Sequence, residues 1–214
     1  MKEKVCNIID CLMQDIPALQ VCRADIEKAF AELKKCYENG GKVLICGNGG
    51  SASDAEHIVG ELMKSFLLKR KIKDEDIAKI QALYPGDSEY LSGHLQGALP
   101  AISLVSQTSI SSAFINDVAP DMVFAQQVYG YANKGDVLIG LSTSGNSKNV
   151  VNAIKIARSF GLVTVGMTGE GGGRMKELCD AVIMVPATET YRIQEYHLPV
   201  YHALCAMLEH EFFG

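Results

Sequence analysis

The sequence lacks features that would each indicate a different class of protein. It has no basic run, and its 20 Lys and Arg against 25 Asp and Glu leave a formal charge of −5. That balance disfavours nucleic acid as a partner, because duplex binding requires several phosphates to be neutralised. The longest apolar runs, Ala181 to Val185 and Ala203 to Leu208, are far shorter than the ~20 residues that span a bilayer. We therefore expect neither a nucleic acid nor a membrane partner.

Disulfide and secretory signals are also missing. The seven cysteines are odd in number and include no CxxC pair, which argues against a disulfide framework and against a thiolate zinc site. The opening residues MKEKVCNIID lack the apolar core of a signal peptide. We expect reduced thiols and a cytoplasmic location.

The length and composition are those of a globular chain. The 214 residues, with 48% hydrophobic and 21% charged, predict a single domain over 1–214 with ample chain for a core. Helical spacing of apolar residues before Pro17 and again from Val21 to Glu38 predicts two helices, the second ended by Gly40 and Gly41. Because two helices ahead of a sheet often pack on another subunit, we interpret residues 1–40 as oligomerisation helices.

Short apolar runs without alternation follow these helices, as is typical of strands buried on both faces of a parallel sheet. The predicted strands are Val43 to Cys46, Ala101 to Val105, Val137 to Leu141, Leu162 to Met167 and Ala181 to Val185. Five such strands with helices between them predict an α/β fold, a three-layer αβα sandwich. Residues 67–99 interrupt the alternation, and we interpret them as an insertion, a short helix plus loops, that covers a site or forms a subunit contact.

Ligands of such folds bind at the carboxyl ends of the strands, so two turns are candidates. The first, Gly47 to Asp54, combines glycines for a sharp bend with a hydroxyl where a helix needs an N-cap, and its N–H groups could hold an anion. It matches neither GxGxxG nor a P-loop. The second, Ser142 to Ser147, places hydroxyls before a predicted helix, Lys148 to Phe160, an arrangement that suits a phosphate on a small sugar. Each turn could instead be purely structural.

Two helical pairs could carry chemistry. His57 and Glu61 are four residues apart and share a helix face, so they could chelate a metal or set a base beside its partner. Gln194 and His202, about two turns apart, share a face of the last predicted helix, with Pro199 as a mild conflict. A surface or core role is the alternative for each pair.

The motifs GNGGSASDAEH with Glu61, Asn116-Asp117, STSGNS and RIQEYH with His202, in this order, resemble the sugar isomerase (SIS) domain, most closely the phosphoheptose isomerases. The resemblance implies a flavodoxin-like SIS fold and a cytosolic homotetramer with active sites at subunit interfaces. It also implies interconversion of sedoheptulose 7-phosphate and a manno-heptose 7-phosphate through an enediolate.

The same resemblance implies roles for individual residues. The catalytic pair would be Glu61 and His202. A Zn²⁺ ion, found in several members, would be bound by His57, Glu61, Gln194 and His202. Substrate contacts would come from both turns and from residues farther along the chain, namely Asn48, Gly49, Gly50, Ser51, Asn116, Asp117, Ser142, Thr143, Ser144, Ser147 and Gln194.

Two departures from the heptose pattern leave other sugar phosphates open as substrates. Tyr191 precedes Arg192 where those enzymes usually have Asp, and residues 62–66 read LMKSF where Gly-Arg normally precedes the aromatic residue. The alternative function is a non-catalytic SIS protein that binds a phosphosugar or a protein such as a replication initiator. A sugar-sensing regulator is disfavoured because no helix-turn-helix segment is present. Glu61, Gln194 and His202 together favour the enzyme.

Overall fold

The computed structural model describes residues 2–214, which contain a five-stranded, all-parallel sheet in the order β2-β1-β3-β4-β5. The strands are β1 Val43–Cys46, β2 Ala101–Ser103, β3 Val137–Leu141, β4 Val163–Gly169 and β5 Ala181–Val185. The predicted α/β sandwich is confirmed. Strand β2 ends earlier than predicted, and β4 begins one residue later and continues to Gly169, whereas the other three strands have the predicted bounds.

The central strands are apolar throughout because both of their faces are covered. Every residue of β1 and of β3 is buried, and the two strands pair in register from Val43 beside Val137 to Cys46 beside Gly140. This order reverses direction between β1 and β3, so their two carboxyl ends open onto the crevice in which doubly wound sheets bind ligands.

Helices cover both faces of the sheet. They are α1 Glu3–Asp15, α2 Arg23–Glu38, α3 Gly50–Met63, α4 Asp74–Leu83, α5 Ser88–His94, α6 Thr108–Asp117, α7 Val123–Tyr131, α8 Lys148–Ser159, α9 Met175–Leu178 and α10 Thr190–Phe213, with short 3₁₀ turns at Pro17–Cys22 and Pro120–Met122. One core cluster joins one face of the sheet to α1, α2, α3 and α10. A second cluster joins the other face to α7, α8 and α9.

The two predicted N-terminal helices are α1 and α2. Pro17 opens the 3₁₀ turn between them, and Gly40, whose φ of 72° is in the left-handed region, ends the second helix as predicted. Their apolar stripes pack within this chain, with Ile9, Ile26 and Leu33 buried in the core. These stripes are therefore covered without a partner subunit, and both the oligomerisation role of residues 1–40 and the homotetramer stay predictions.

Residues 67–99 contain two short helices, α4 and α5, rather than one. No residue of either helix is buried, and Leu83, Tyr84 and Tyr90 are more than half exposed. Arg70, just before α4, is by contrast fully buried. It donates hydrogen bonds to Glu209 of α10 and to the carbonyls of Glu61 and Leu62 at the end of α3.

Within residues 2–214, no helix is both long and apolar enough to cross a membrane.

Candidate active site

The first predicted turn links β1 to α3. Gly49, with φ of 57°, precedes the helix in a conformation that glycine adopts without strain. A Cβ at Gly47 would overlap the backbone of Ser51, so the turn also requires a glycine there. The hydroxyl expected at the N-cap is not found. Gly49 occupies that position and makes no side-chain cap, whereas Ser51 lies in the first helical turn and is buried.

The second predicted turn links β3 to α8 and is held by its own hydroxyls. Ser142 Oγ lies 2.9 Å from Ser147 Oγ and accepts from the Ser147 N–H, and Ser144 Oγ accepts from the Asn146 N–H. Gly145 has a φ of 65°, and a Cβ there would collide with the carbonyl oxygen of Gly172. The turn is therefore a tightly packed loop. The helix after it ends at Ser159, not Phe160.

A pair of amides joins the two turns. Asn48 donates to Asn149 Oδ1 at 3.0 Å, and Asn149 donates back to Asn48 Oδ1 at 2.9 Å. Asn149 Oδ1 also accepts from the N–H of Val150 in the first turn of α8. Asn149 thus positions Asn48, one of the predicted sugar contacts, across the crevice between β1 and β3.

The predicted catalytic residues meet between α3 and α10. His57 Nε2 lies 3.3 Å from Glu61 Oε1 and 3.5 Å from His202 Nε2. The Glu61 side chain is 11% exposed, and that of His57 is 43% exposed, so the cluster has a buried carboxylate and a solvent-facing imidazole. The structure brings these three predicted residues together.

The surroundings of His202 favour its neutral form. Burial lowers its pKa, as does a charge on His57, while Glu61 opposes the change. Because histidine ordinarily titrates near pH ~6.5, a lowered pKa leaves the His202 ring uncharged at neutral pH. A neutral ring offers one nitrogen lone pair for accepting a proton or binding a metal.

Gln194, the remaining predicted zinc ligand, packs against the start of α3. Its amide fills the space that a Cβ at Gly50 would occupy. Within the described residues, no three His, Cys, Asp or Glu side chains are arranged to hold a metal ion. The zinc site stays a prediction.

Asn116 and Asp117 lie at the exposed carboxyl end of α6. Asn116 Nδ2 donates to Asp117 Oδ1 at 2.8 Å. No hydrogen bond within residues 2–214 joins either side chain to the two turns or to His57. Their predicted contact with substrate is therefore not tested by a single chain.

The site is open in one chain. A cavity of about 210 Å³ borders Thr143 and Ser144. Two larger cavities, of about 410 and 570 Å³, lie beside the 67–99 segment, and the first of these also borders Gly40 and Gly41, which precede the amino end of β1. Cavity size therefore does not identify the site, whereas the convergence of polar side chains does.

Sequence reasoning missed the groups that support the cluster. Asp54 lies three residues before His57 on the same helix face, and Tyr201 immediately precedes His202, so their positions gave a signal that was not used. Tyr201 OH lies 3.0 Å from His57 Nδ1 and donates to Asp54 Oδ1 at 3.3 Å. Asn149 and Arg70 had no comparable signal, since their partners are distant in sequence.

The fold and the hydroxyl-rich turn define a class, and the comparison with protein families supplies its name. The chain matches the SIS domain family over residues 17–94 and 95–169. It is a SIS domain protein.

Curated relatives and solved structures narrow this class. The phosphoheptose isomerase of Aliarcobacter butzleri (strain RM4018) is 40% identical over 193 residues, which are 90% of this chain and 88% of that protein. That of Burkholderia pseudomallei (strain 1710b) is 43% identical over 89% of this chain and 84% of its own. The structure of phosphoheptose isomerase GmhA from Neisseria gonorrhoeae has a TM-score of 0.70 at 32% identity and covers 94% of this chain and 97% of that one. The Francisella tularensis enzyme has a TM-score of 0.75 at 27% identity, with 97% of each chain covered. The chain belongs to the phosphoheptose isomerase family, as its motifs predicted.

Proposed function

We propose that this chain is an aldose–ketose isomerase that interconverts sedoheptulose 7-phosphate and D-glycero-D-manno-heptose 7-phosphate. The observation that carries the proposal is the contact of His57, Glu61 and His202 in a chain 40% identical to a phosphoheptose isomerase over 90% of its length. A scaffold that only binds a partner has no need of a buried carboxylate beside two imidazoles.

The phosphate end of the substrate would bind at the two turns. Ser142, Thr143, Ser144 and Ser147 offer hydroxyls at the amino end of α8, where the helix dipole favours an anion. Ser51 offers another at the start of α3. Hydroxyls and amides at helix ends bind phosphate without a cation, which agrees with the scarcity of basic side chains in both turns.

The chemistry would take place at the cluster. Moving a carbonyl between C1 and C2 requires a base that removes a proton from carbon, an acid that serves the oxygens, and stabilisation of the enediolate. Glu61 is the proposed base. His202, neutral at pH 7, exchanges a proton with the substrate oxygens.

The proposed zinc ligands are His57, Glu61, Gln194 and His202. Two imidazole nitrogens, a carboxylate oxygen and an amide oxygen form a nitrogen and oxygen donor set that suits Zn²⁺. Three of these donors already lie close together, with His57 Nε2 3.3 Å from Glu61 Oε1 and 3.5 Å from His202 Nε2, and they would have to rearrange to surround an ion, since no three such side chains within residues 2–214 are arranged to hold one. Bound zinc would polarise the substrate carbonyl as a Lewis acid.

We also propose a cytoplasmic homotetramer with sites completed at subunit interfaces. The exposed Leu83, Tyr84 and Tyr90 of the 67–99 segment support this assembly, because a neighbouring subunit would cover them. Asn116 and Asp117, whose only side-chain hydrogen bond within residues 2–214 is to each other, would then bind substrate at a site completed by a second subunit.

The function is tested by NMR assay of the purified protein with a panel of C5 to C7 sugar phosphates in heavy water. We expect isomerisation of sedoheptulose 7-phosphate with deuterium uptake at the reacting carbon. Activity on another member of the panel would assign that sugar and point to Tyr191, which is 59% exposed, as a specificity residue. Absence of turnover on all of them would favour the non-catalytic alternative.

The base is tested by Glu61→Gln, which keeps the side-chain size and an oxygen donor. We expect a loss of about 10²–10⁴ in rate and loss of deuterium uptake. Glu56→Gln is the matched control, because Glu56 lies on the same helix but faces Ser106, and it should retain activity. Near-normal turnover of Glu61→Gln would reassign Glu61 as a ligand only and leave His202 as the next candidate base.

A further inference from the structure

Asp54 and Tyr201 form a hydrogen-bonded pair behind the His57 ring, on the side away from Glu61. Both lie in the interior, with Tyr201 only 1% exposed and Asp54 half-buried. Tyr201 OH donates to Asp54 Oδ1 at 3.3 Å, and the Tyr201 hydroxyl oxygen also lies 3.0 Å from His57 Nδ1. The Tyr201 and His57 rings also meet edge to face, with centroids 5.5 Å apart.

The direction of these hydrogen bonds determines the state of the imidazole. A carboxylate can only accept, and Tyr201 is the sole donor to the Asp54 carboxylate within residues 2–214, so the single hydroxyl proton goes to Asp54 and the hydroxyl accepts from His57. His57 therefore carries a proton on Nδ1. Its Nε2 then faces Glu61 Oε1 and His202 Nε2, at 3.3 and 3.5 Å.

The hydrogen bonds of Asp54 support this arrangement. The other Asp54 oxygen, Oδ2, is buried without a hydrogen-bond partner among the described residues. The Asp54 carboxylate therefore depends on the Tyr201 hydroxyl for its hydrogen bond within residues 2–214.

We propose that Tyr201 and Asp54 are positioning residues that hold His57 with a proton on Nδ1 and present its Nε2 to the catalytic cluster. His57 is 43% exposed, so without this pair its ring would be free to turn and to exchange tautomers with water. An outer hydrogen bond of this kind commonly orients a histidine that binds a metal or a substrate oxygen. The inference rests on the proposed function only in its second readout, zinc affinity.

The decisive test reads the tautomer directly. Chelator-treated protein labelled with ¹³C and ¹⁵N in its five histidines is studied by NMR at about pH 8, where a histidine of ordinary pKa is neutral, and His57→Gln assigns the His57 signals. We expect the Nδ1–H form in the native chain and a loss of that preference in Tyr201→Phe and in Asp54→Ala. An unchanged His57 tautomer in Tyr201→Phe would overturn the proposal.

Tyr37→Phe is the matched control. Tyr37 is also a buried tyrosine, and its hydroxyl has no partner within residues 2–214, so this change should leave the His57 signals as they are. The double variant with Tyr201→Phe and Asp54→Ala should show no further loss beyond Tyr201→Phe, because both act through one hydroxyl. Additive losses of the His57 tautomer preference would show that Tyr201 and Asp54 act independently, which contradicts the proposal.

The second readout is Zn²⁺ affinity, measured by competition with a chromophoric chelator. Tyr201→Phe should weaken binding by about 10–100-fold, and Tyr37→Phe should not. A changed His57 tautomer with unchanged zinc affinity would overturn the proposed role of Tyr201 and Asp54 in zinc binding. The two proposals can be refuted separately. A native protein without isomerase activity would refute the proposed function, while the His57 tautomer would still test the role of Tyr201 and Asp54. An active Tyr201→Phe variant with the native tautomer would refute only the role of Tyr201 and Asp54.

Discussion

The buried pair of Arg70 and Glu209 allows a stability prediction. Both side chains are fully buried. The Glu209 carboxylate accepts from the N–H groups of Phe66, Leu67 and Leu68 at 2.7 to 3.0 Å and from Arg70 Nε at 2.7 Å. Removing one member of such a pair is costly because the other remains charged and out of contact with water.

We predict that Arg70→Met destabilises the protein by about 3–5 kcal/mol. The change removes the counter-charge of Glu209 and also the guanidinium donors to the carbonyls of Glu61 and Leu62, at 2.7 and 2.6 Å. The Leu62 carbonyl then keeps the N–H of Leu99 as its donor. For a chain of this size, 1 kcal/mol corresponds to about 2–4 °C, so the melting temperature should fall by roughly 6–20 °C. Because Glu61 is one of the residues whose carbonyl is released, turnover should fall as well.

The assay is urea denaturation followed by circular dichroism, at equal protein concentrations so that any assembly contributes equally. Lys79→Met, which breaks an exposed pair with Asp76, is the control and should leave stability nearly unchanged. A loss below about 1 kcal/mol in Arg70→Met would refute the reasoning, since it would mean that Glu209 is satisfied by backbone donors alone.

The pH dependence provides an independent check. Burial raises the pKa of Glu209, but the backbone N–H groups and Arg70 outweigh it and hold the pKa below its usual value. A lowered folded-state pKa contributes stability above the unfolded value of ~4.3 and loses it as pH falls through the folded pKa. The difference between native protein and Arg70→Met should therefore be largest near neutral pH and shrink below about pH 4.

The remaining predictions concern the phosphate turn and the assembly. Ser144→Ala should chiefly raise KM, by about tenfold or more, since it removes a hydrogen bond to a charged group worth ~1.5–3 kcal/mol in ground and transition states alike; steady-state kinetics showing lost turnover at unchanged KM would count against the assignment. Gly145→Ala should lower the free energy of unfolding by about 1–3 kcal/mol, measured in a thermal melt, and should weaken phosphate binding, because φ at Gly145 is positive and Gly172 leaves no room for a Cβ. Native stability and native phosphate binding in this variant would contradict the turn geometry. Light scattering should report a tetramer at micromolar concentration, and a monomer would refute the proposed interface.

The sheet was predictable because apolar runs such as Val137 to Leu141 are long enough to identify strands buried on both faces. The end of β2 was not, because Leu104 and Val105 continue the apolar pattern although the strand stops at Ser103. The contact of His57, Glu61 and His202 was reached through motif resemblance, since the spacing of each pair separately allowed a structural role.

The supporting contacts could not be predicted from spacing. Asn149 and Asn48 are joined over 101 positions, and Arg70 and Glu209 over 139. Such pairs depend on how the sheet brings distant segments together. The absent hydroxyl cap of α3 had a different cause: Gly49 has the positive φ that the turn requires, and this displaces Ser51 into the helix.

The length of helix α3 sets a fixed distance within the proposed site. Ser51 at its start and His57 farther along are six residues apart, which at 1.5 Å per residue is about 9 Å along a rigid axis. If the phosphate binds at one end of the helix and the carbonyl reacts at the other, the carbon chain between them must match this fixed distance. A sugar one carbon shorter would place its reacting atoms about 1 Å from the cluster's optimum, and misplacement of that size can cost ~10²-fold in rate. Chain-length selectivity would then come from the helix backbone, with no side chain dedicated to excluding the shorter sugar.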